Sequence, residues 1–174
     1  MTYLVTATDG AWARLSGWNA VQDMPPDLSL WATSPHCFGV LLIRRGGYAI
    51  GISRGKELVQ HKCGTRYVQS RTAAGGWSQQ RFARRRSNQA DELVSVTVQK
   101  SAAIFADEKL GALVVGGDKA LVAQVLSKPA LKPLNAVRTR EFYDIPDPRL
   151  VVLRNVAKRA LSVRITVSNG PTSH

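Results

Sequence analysis

Acidic side chains are scarce in this chain: 12 Asp and Glu stand against 24 Lys and Arg, for a net charge of +12 over 174 residues. Such a balance favours a polyanionic partner, and nucleic acid is the commonest one. Cysteine is scarce too. Cys37 and Cys63 sit in strand-like segments, and His36, His61 and His174 are scattered, so none of the spacings of a zinc site occurs. Two buried thiols are expected rather than a disulfide, with no metal and no cofactor. No apolar run approaches the ~18 residues of a membrane-spanning helix. The opening stretch, MTYLVTATDGAWARL, lacks the basic and apolar regions of a secretory signal. A cytoplasmic protein with no membrane partner is expected. Clustered carboxylates are missing as well, which leaves a metal-dependent nuclease without ligands. There is no internal repeat, low-complexity stretch or domain boundary. Residues 1–168 therefore read as a single domain, with 169–174 as a tail.

What is present alternates between two periods. TYLVTA (2–7) reads as a strand, and Thr8 or Asp9 as the cap of a helix over about 9–20, with Trp12, Leu15 and Trp18 three apart. After the break MPPDLS, an antiparallel meander is expected. CFGVLLI (37–43) turns through Arg44–Gly47 into YAIGIS (48–53). The chain then turns through Arg54-Gly55-Lys56 into ELVQHKC (57–63), followed by TRYVQS (65–70). The period then becomes helical. Phe82, Ala90, Leu93, Val94, Thr97, Ser101, Ile104 and Phe105 fall on one face, which predicts a long helix from about Ser78 to Phe105. ALVV (112–115) reads as a strand, Gly116-Gly117 as its turn, and Asp118 as the cap of a helix over 119–127. AVRTREFYDI (136–145) reads as a strand. Asp147 then reads as a cap, with Pro148 opening a helix to about Ala160, and SVRITV (162–167) as a last strand. The fold class is α+β or mixed α/β: a meander plus further strands in one sheet, packed by a long helix and two or three shorter ones.

The positive charge is concentrated. From Arg44 to Arg86 there are eleven basic residues and one acid, Glu57. Arginine dominates, and its planar fork matches phosphate oxygens in pairs. Within this segment lies AAGGWSQQRFARRR (73–86), where the loosest backbone adjoins the densest charge. Arg81, Arg84 and Arg85, with Gln80, share one side of the first turns of the long helix. Positive charge is locally unfavourable at a helix amino end, so four arginines there point to a bound anion. Arg66, Arg71, Arg86, Lys62 and Trp77 complete the expected RNA-binding set. Trp77 suits either stacking on a base or anchoring the loop.

The loop carries no strong acid, base or nucleophile. Ser78 reads as a helix cap, and Asp91 and Glu92 as surface groups. A glutamine amide can still orient a water, and glycine-freed backbone N–H groups can bind an oxyanion. That chemistry suits hydrolysis of an already activated ester, such as an aminoacyl ester on tRNA. Gly75-Gly76-Trp77-Ser78-Gln79-Gln80, following a meander and opening an Arg-rich helix, resembles the Vms-like release-factor domain in its free-standing bacterial branch. That domain is related to the middle domain of archaeal and eukaryotic peptide-chain release factors. Its glycine–x–x–glutamine pattern corresponds here to Gly76-Trp77-Ser78-Gln79. The resemblance implies codon-independent peptidyl-tRNA hydrolysis on stalled or split large ribosomal subunits, in ribosome rescue or quality control. It implies that Gln79 places the water and lines the terminal ribose, with Gln80 as the alternative register. Gly75 and Gly76 fold the loop against the acceptor end, and the arginines hold ribosomal or tRNA phosphates. The implied partners are the large subunit, its rRNA and the peptidyl-tRNA acceptor end, with the protein acting as a monomer. The alternative is a non-catalytic ribosome- or RNA-binding domain.

Overall fold

Two adjacent apolar stretches, CFGVLLIR and GYAIGISR, set the centre of the structure. In the computed structural model of the chain, residues 2–18, 32–65 and 78–168 are described, with 78–86 as backbone only. The strands are β1 (Thr2–Thr6), β2 (Trp12–Ser16), β3 (Cys37–Arg44), β4 (Gly47–Arg54), β5 (Glu57–Thr65), β6 (Ala112–Gly117), β7 (Arg138–Phe142) and β8 (Arg164–Ser168). The helices are α1 (Ser78–Phe105), α2 (Lys119–Leu126) and α3 (Leu150–Ala160), with a 3-10 helix over Pro129–Ala136. The mixed α+β class is as the sequence predicts. The strands divide between two sheets, however, rather than joining one.

The chain forms two compact units, Met1–Pro35 with Leu161–His174, and His36–Ala160. In the second, five strands run in the order β5-β4-β3-β6-β7. β3, β4 and β5 are the antiparallel meander; β6 adds parallel to β3, and β7 parallel to β6. β3 and β6 are apolar on both sides, as strands covered on two faces must be. On one face Leu41, Ile43, Ile50, Ile52, Leu113 and Val115 meet Leu93 and Val94 of α1 and Leu121 and Val125 of α2. The other face carries Phe38, Val40, Leu42 and Val114, all fully buried. α3 packs there through Leu153, whose side chain approaches Gly51 of β4.

The long helix runs over Ser78–Phe105, as its spacing predicts. Leu93, Val94, Thr97, Ser101, Ile104 and Phe105 are buried on its inner face. Thr97 is accommodated because its hydroxyl donates to the Leu93 carbonyl one turn back (2.7 Å). TRYVQS, expected as a further strand, contributes only Thr65 to β5; residues 66–70 lie outside the described residues. Asp147 does not cap α3, which begins at Leu150. Its carboxylate instead lies against Gly46 and 3.9 Å from Arg44 Nε. A polar partner in the fold outcompetes the local capping role that the sequence suggests.

In the first unit β2 lies between β1 and β8, antiparallel to both. Over the described residues 9–18, the expected helix is instead a hairpin turn followed by strand. Asp9 makes an Asx turn, accepting from Ala11 N (3.0 Å), where a helix cap was expected. Gly10 takes φ +84 and reverses the chain. The three-residue spacing of Trp12, Leu15 and Trp18 is overridden by two-sided strand pairing.

Candidate nucleic-acid interface

β3, β6 and β7 are parallel, so their carboxyl ends share one end of the central sheet. β5, antiparallel to β4, finishes there as well, with Thr65 opposite Gly47. α1 runs the other way, and Phe105 lies against Gly39 near the opposite end. With 28 residues α1 is ~42 Å long against ~26 Å for the eight residues of β3, so its first turns extend past the sheet. Thr65 and Ser78, the described residues on either side of 66–77, thus both belong to the carboxyl end of the parallel strands. In open α/β sheets ligands bind at this end.

Three features gather there. The first is the Arg44–Gly47 turn. Arg44 is held by donation to the Ile145 carbonyl (2.6 Å) and by the long contact with Asp147. Arg45 is exposed and has no ion-pair partner among the described residues. The second is the Gly116-Gly117 turn. Gly117 takes φ +106, and a Cβ there would strike the Ile43 carbonyl, so the turn depends on glycine. Asp118 N donates to that carbonyl (2.8 Å), and its carboxylate caps α2 by accepting from Ala120 N (3.0 Å) and Leu121 N (3.2 Å). Lys119 follows, exposed, with its Nζ 5.8 Å from the Tyr143 ring centroid. The third is the amino end of α3, reached through Asp144–Asp147. Asp144 is committed to Arg159, which donates from both Nη atoms (2.9 and 2.8 Å). The local acids are thus occupied, and Arg45 and Lys119 leave a net positive end.

Of the residues expected to act, Lys62 is exposed on β5 opposite Ile50. Ser78, Gln79 and Gln80 open α1, and Arg81, Arg84, Arg85 and Arg86 follow in it; their side chains lie outside the described residues. Arg66, Arg71, Gly75, Gly76 and Trp77 lie outside the described residues altogether. Lys119 was not among the expected contacts. Its signal in the sequence was the GGDK turn, but only the parallel β3–β6 pairing puts that turn beside Arg45.

The opposite end of the sheet is closed by structural contacts. Arg54 Nη2 meets Glu108 Oε1 at 2.7 Å, and the Cys37 thiol donates to Glu108 Oε2 at 3.8 Å. Burial, and then the Glu108 charge, push the Cys37 thiol above its ordinary range. Burial does the same to Cys63. Both cysteines are free thiols, and the shift favours their protonated form. Among the described residues, no three His, Cys, Asp or Glu side chains gather to hold a metal ion, and no helix is long and apolar enough to cross a membrane.

Comparison with known proteins gives a family match. The model described as Actinobacteria/chloroflexi VLRF1 release factor matches residues 36–166, three quarters of the chain. No curated protein matches. Among solved structures, one titled "Vms1 mitochondrial localization core" is similar at 10% identity and a TM-score of 0.49, over 74% of this chain and 57% of that one. The crystal structure of archaeal translation termination factor aRF1 is similar at 14% identity and a TM-score of 0.43, over 72% of this chain and 34% of that one.

Proposed function

This chain belongs to the Actinobacteria/chloroflexi VLRF1 release-factor family, and we propose that it hydrolyses the ester between a nascent peptide and tRNA on stalled or split large ribosomal subunits, without reading a codon. A release-factor-like role in translation follows from the membership; the reaction and its residues are our reading. Water attacks the ester carbonyl, the acyl–oxygen bond breaks, and the ribose oxygen takes the proton. The ester is already activated, so the water needs placing more than deprotonating, and no metal is required. In this reading Gln79 orients the water, with Gln80 as the alternative register. Ser78 opens the helix that carries them, and Gly75 and Gly76 bring backbone N–H groups to the developing oxyanion. Arg66, Arg71, Arg81, Arg84, Arg85, Arg86, Lys62 and Trp77 hold rRNA and the acceptor end. The protein acts in the cytoplasm as a monomer, with residues 1–168 working as one domain.

The observation that supports this reading is topological. Both tethers of the GGWSQQ segment, the end of β5 and the start of α1, belong to the sheet end that carries Arg45, Lys119 and the amino end of α2. The test is release of labelled peptide from peptidyl-tRNA on isolated large subunits. Gln79→Ala should lower the release rate by ~10²–10³-fold, the usual loss on removing one positioned donor, with subunit binding unchanged. Gln80→Ala should stay near wild type. Tight binding without release by the wild type would instead make the chain a binding module.

A further inference from the structure

Between the β3–β4 turn, α1 and α2 lies a polar hollow of about 250 Å³. Arg45 lines it with the apolar Leu121, Ala90 and Ala120, and Ser87, Asp91 and Gln124 stand around it; Asp118 lines it too, its carboxylate held by Ala120 N and Leu121 N at the start of α2. Asp91 and Gln124 also line a second space of about 600 Å³, which continues between α1 and α2 over Val94 and Val98 to Lys128. The two spaces therefore form one groove, with a cation lining each space and a carboxylate and an amide at the saddle between them. Arg45 and Asp91 line the same hollow yet form no ion pair, and neither Lys128 nor the Gln124 side chain is engaged among the described residues. A fold that needed only solubility would let these opposite charges meet. Arg45 belongs to the basic sheet end described above; Asp91, Gln124 and Lys128 are not among the residues proposed above to act on the ester or to hold RNA.

We propose that this groove seats a short single-stranded RNA segment and reads one unstacked guanine at the saddle. The proposal rests on the reading of the chain as a factor that works on RNA. Phosphates fall on Arg45 in one space and Lys128 in the other, as along a strand rather than on a lone anion. The apolar lining takes the face of a base, and the saddle takes its edge. Single-stranded RNA offers free Watson–Crick edges. Guanine alone presents two neighbouring N–H groups there, N1–H and N2–H, beside the acceptor O6. A carboxylate is acceptor-only and takes both N–H groups; an amide NH₂ donates to O6. Asp91 and Gln124 supply that pair. Uracil and adenine leave one carboxylate oxygen without a donor.

The test uses the full chain and three fluorescent RNA dodecamers, one all uridine, one with a single central guanine and one with a single central adenine, followed by anisotropy. The wild type should bind the guanine oligomer roughly tenfold more tightly than the other two. Asp91→Asn, an exposed isosteric change, should erase that preference and leave affinity for the all-uridine strand in place. Arg45→Ala and Lys128→Ala should weaken all three oligomers alike and each flatten the salt dependence by about 0.7 in log–log slope. Equal binding of the three oligomers, no binding at all, or a guanine preference that survives Asp91→Asn overturns the proposal. Peptide release by the same proteins reports on Gln79 separately, so loss of the groove and loss of the hydrolase reading give different results.

Discussion

The two sheets are built from the same residue types and meet opposite fates. In the central sheet β3, β4 and β6 lie between helices, and residues such as Leu41, Ile50 and Val114 have no exposure. In the three-stranded sheet none of the strand residues is fully buried, and several apolar ones stay out: Leu4 is 53% exposed, Ile165 61% and Val167 69%. Charge divides along the same line. Arg14 and Arg164 are the only Lys or Arg of the terminal unit, against Asp9, Asp23 and Asp27. The terminal unit is therefore slightly acidic and His36–Ala160 carries the whole positive excess, +13 from 22 basic and 9 acidic residues; the family match begins where that unit begins. Stability and RNA affinity are thus expected to reside in one unit.

The difference can be broken most directly in the cores. Ile50→Ala should lower unfolding free energy by roughly 4 kcal/mol, as fully buried aliphatic truncations do. Ile165→Ala should change it by less than about 0.5 kcal/mol, as exposed substitutions do. Urea unfolding of the two variants measures this, and similar losses would show that the terminal sheet carries a core of its own. Next come the two left-handed glycines. Gly117→Ala combines φ +106 with a collision at the Ile43 carbonyl and should lose roughly 3 kcal/mol. Gly10→Ala, at φ +84 in the β1–β2 turn, should lose only about 1 kcal/mol. Thermal denaturation of this pair shows whether the turn that presents Lys119 is the more constrained.

These contrasts follow how well each part can be read from sequence. The helix over Ser78–Phe105 is legible because its apolar spacing, absence of turn residues and later burial agree. Asp118 is legible because a cap is a local interaction, satisfied within three residues. β2 is not, since Trp12, Leu15 and Trp18 fit a helical spacing and only β1 and β8 decide otherwise. The position of β8 in a separate sheet is likewise invisible, because alternation in SVRITV specifies a strand but not its neighbours. For the site, the density of arginine was plain, while the placing of Arg45 and Lys119 at one end of the sheet depends on parallel pairing across a long stretch of chain.

The smallest expected effect is alkaline. Burial raises Tyr48, Tyr143, Cys37 and Cys63, all in the central unit, above their ordinary values. A raised pKa favours the neutral form in the fold. The stabilisation it brings is complete below the unfolded pKa, which is 9.0 for the thiols, and is lost as pH rises through the folded values. The thermal midpoint should hold near neutral pH and fall by a few degrees toward pH 10–11. Cys63→Ala should flatten that fall. An unchanged profile would remove Cys63 as a source of it.

The pairing of β3 with β6, from Phe38 opposite Ala112 to Ile43 opposite Gly117, also orders events in time. During synthesis the meander and all of the arginines from Arg44 to Arg86 leave the ribosome before β6 exists to complete the sheet. Closing so long a loop is slow compared with forming a hairpin or a helix. The nascent chain therefore exposes its most cationic stretch beside ribosomal RNA before the sheet that organises it is complete.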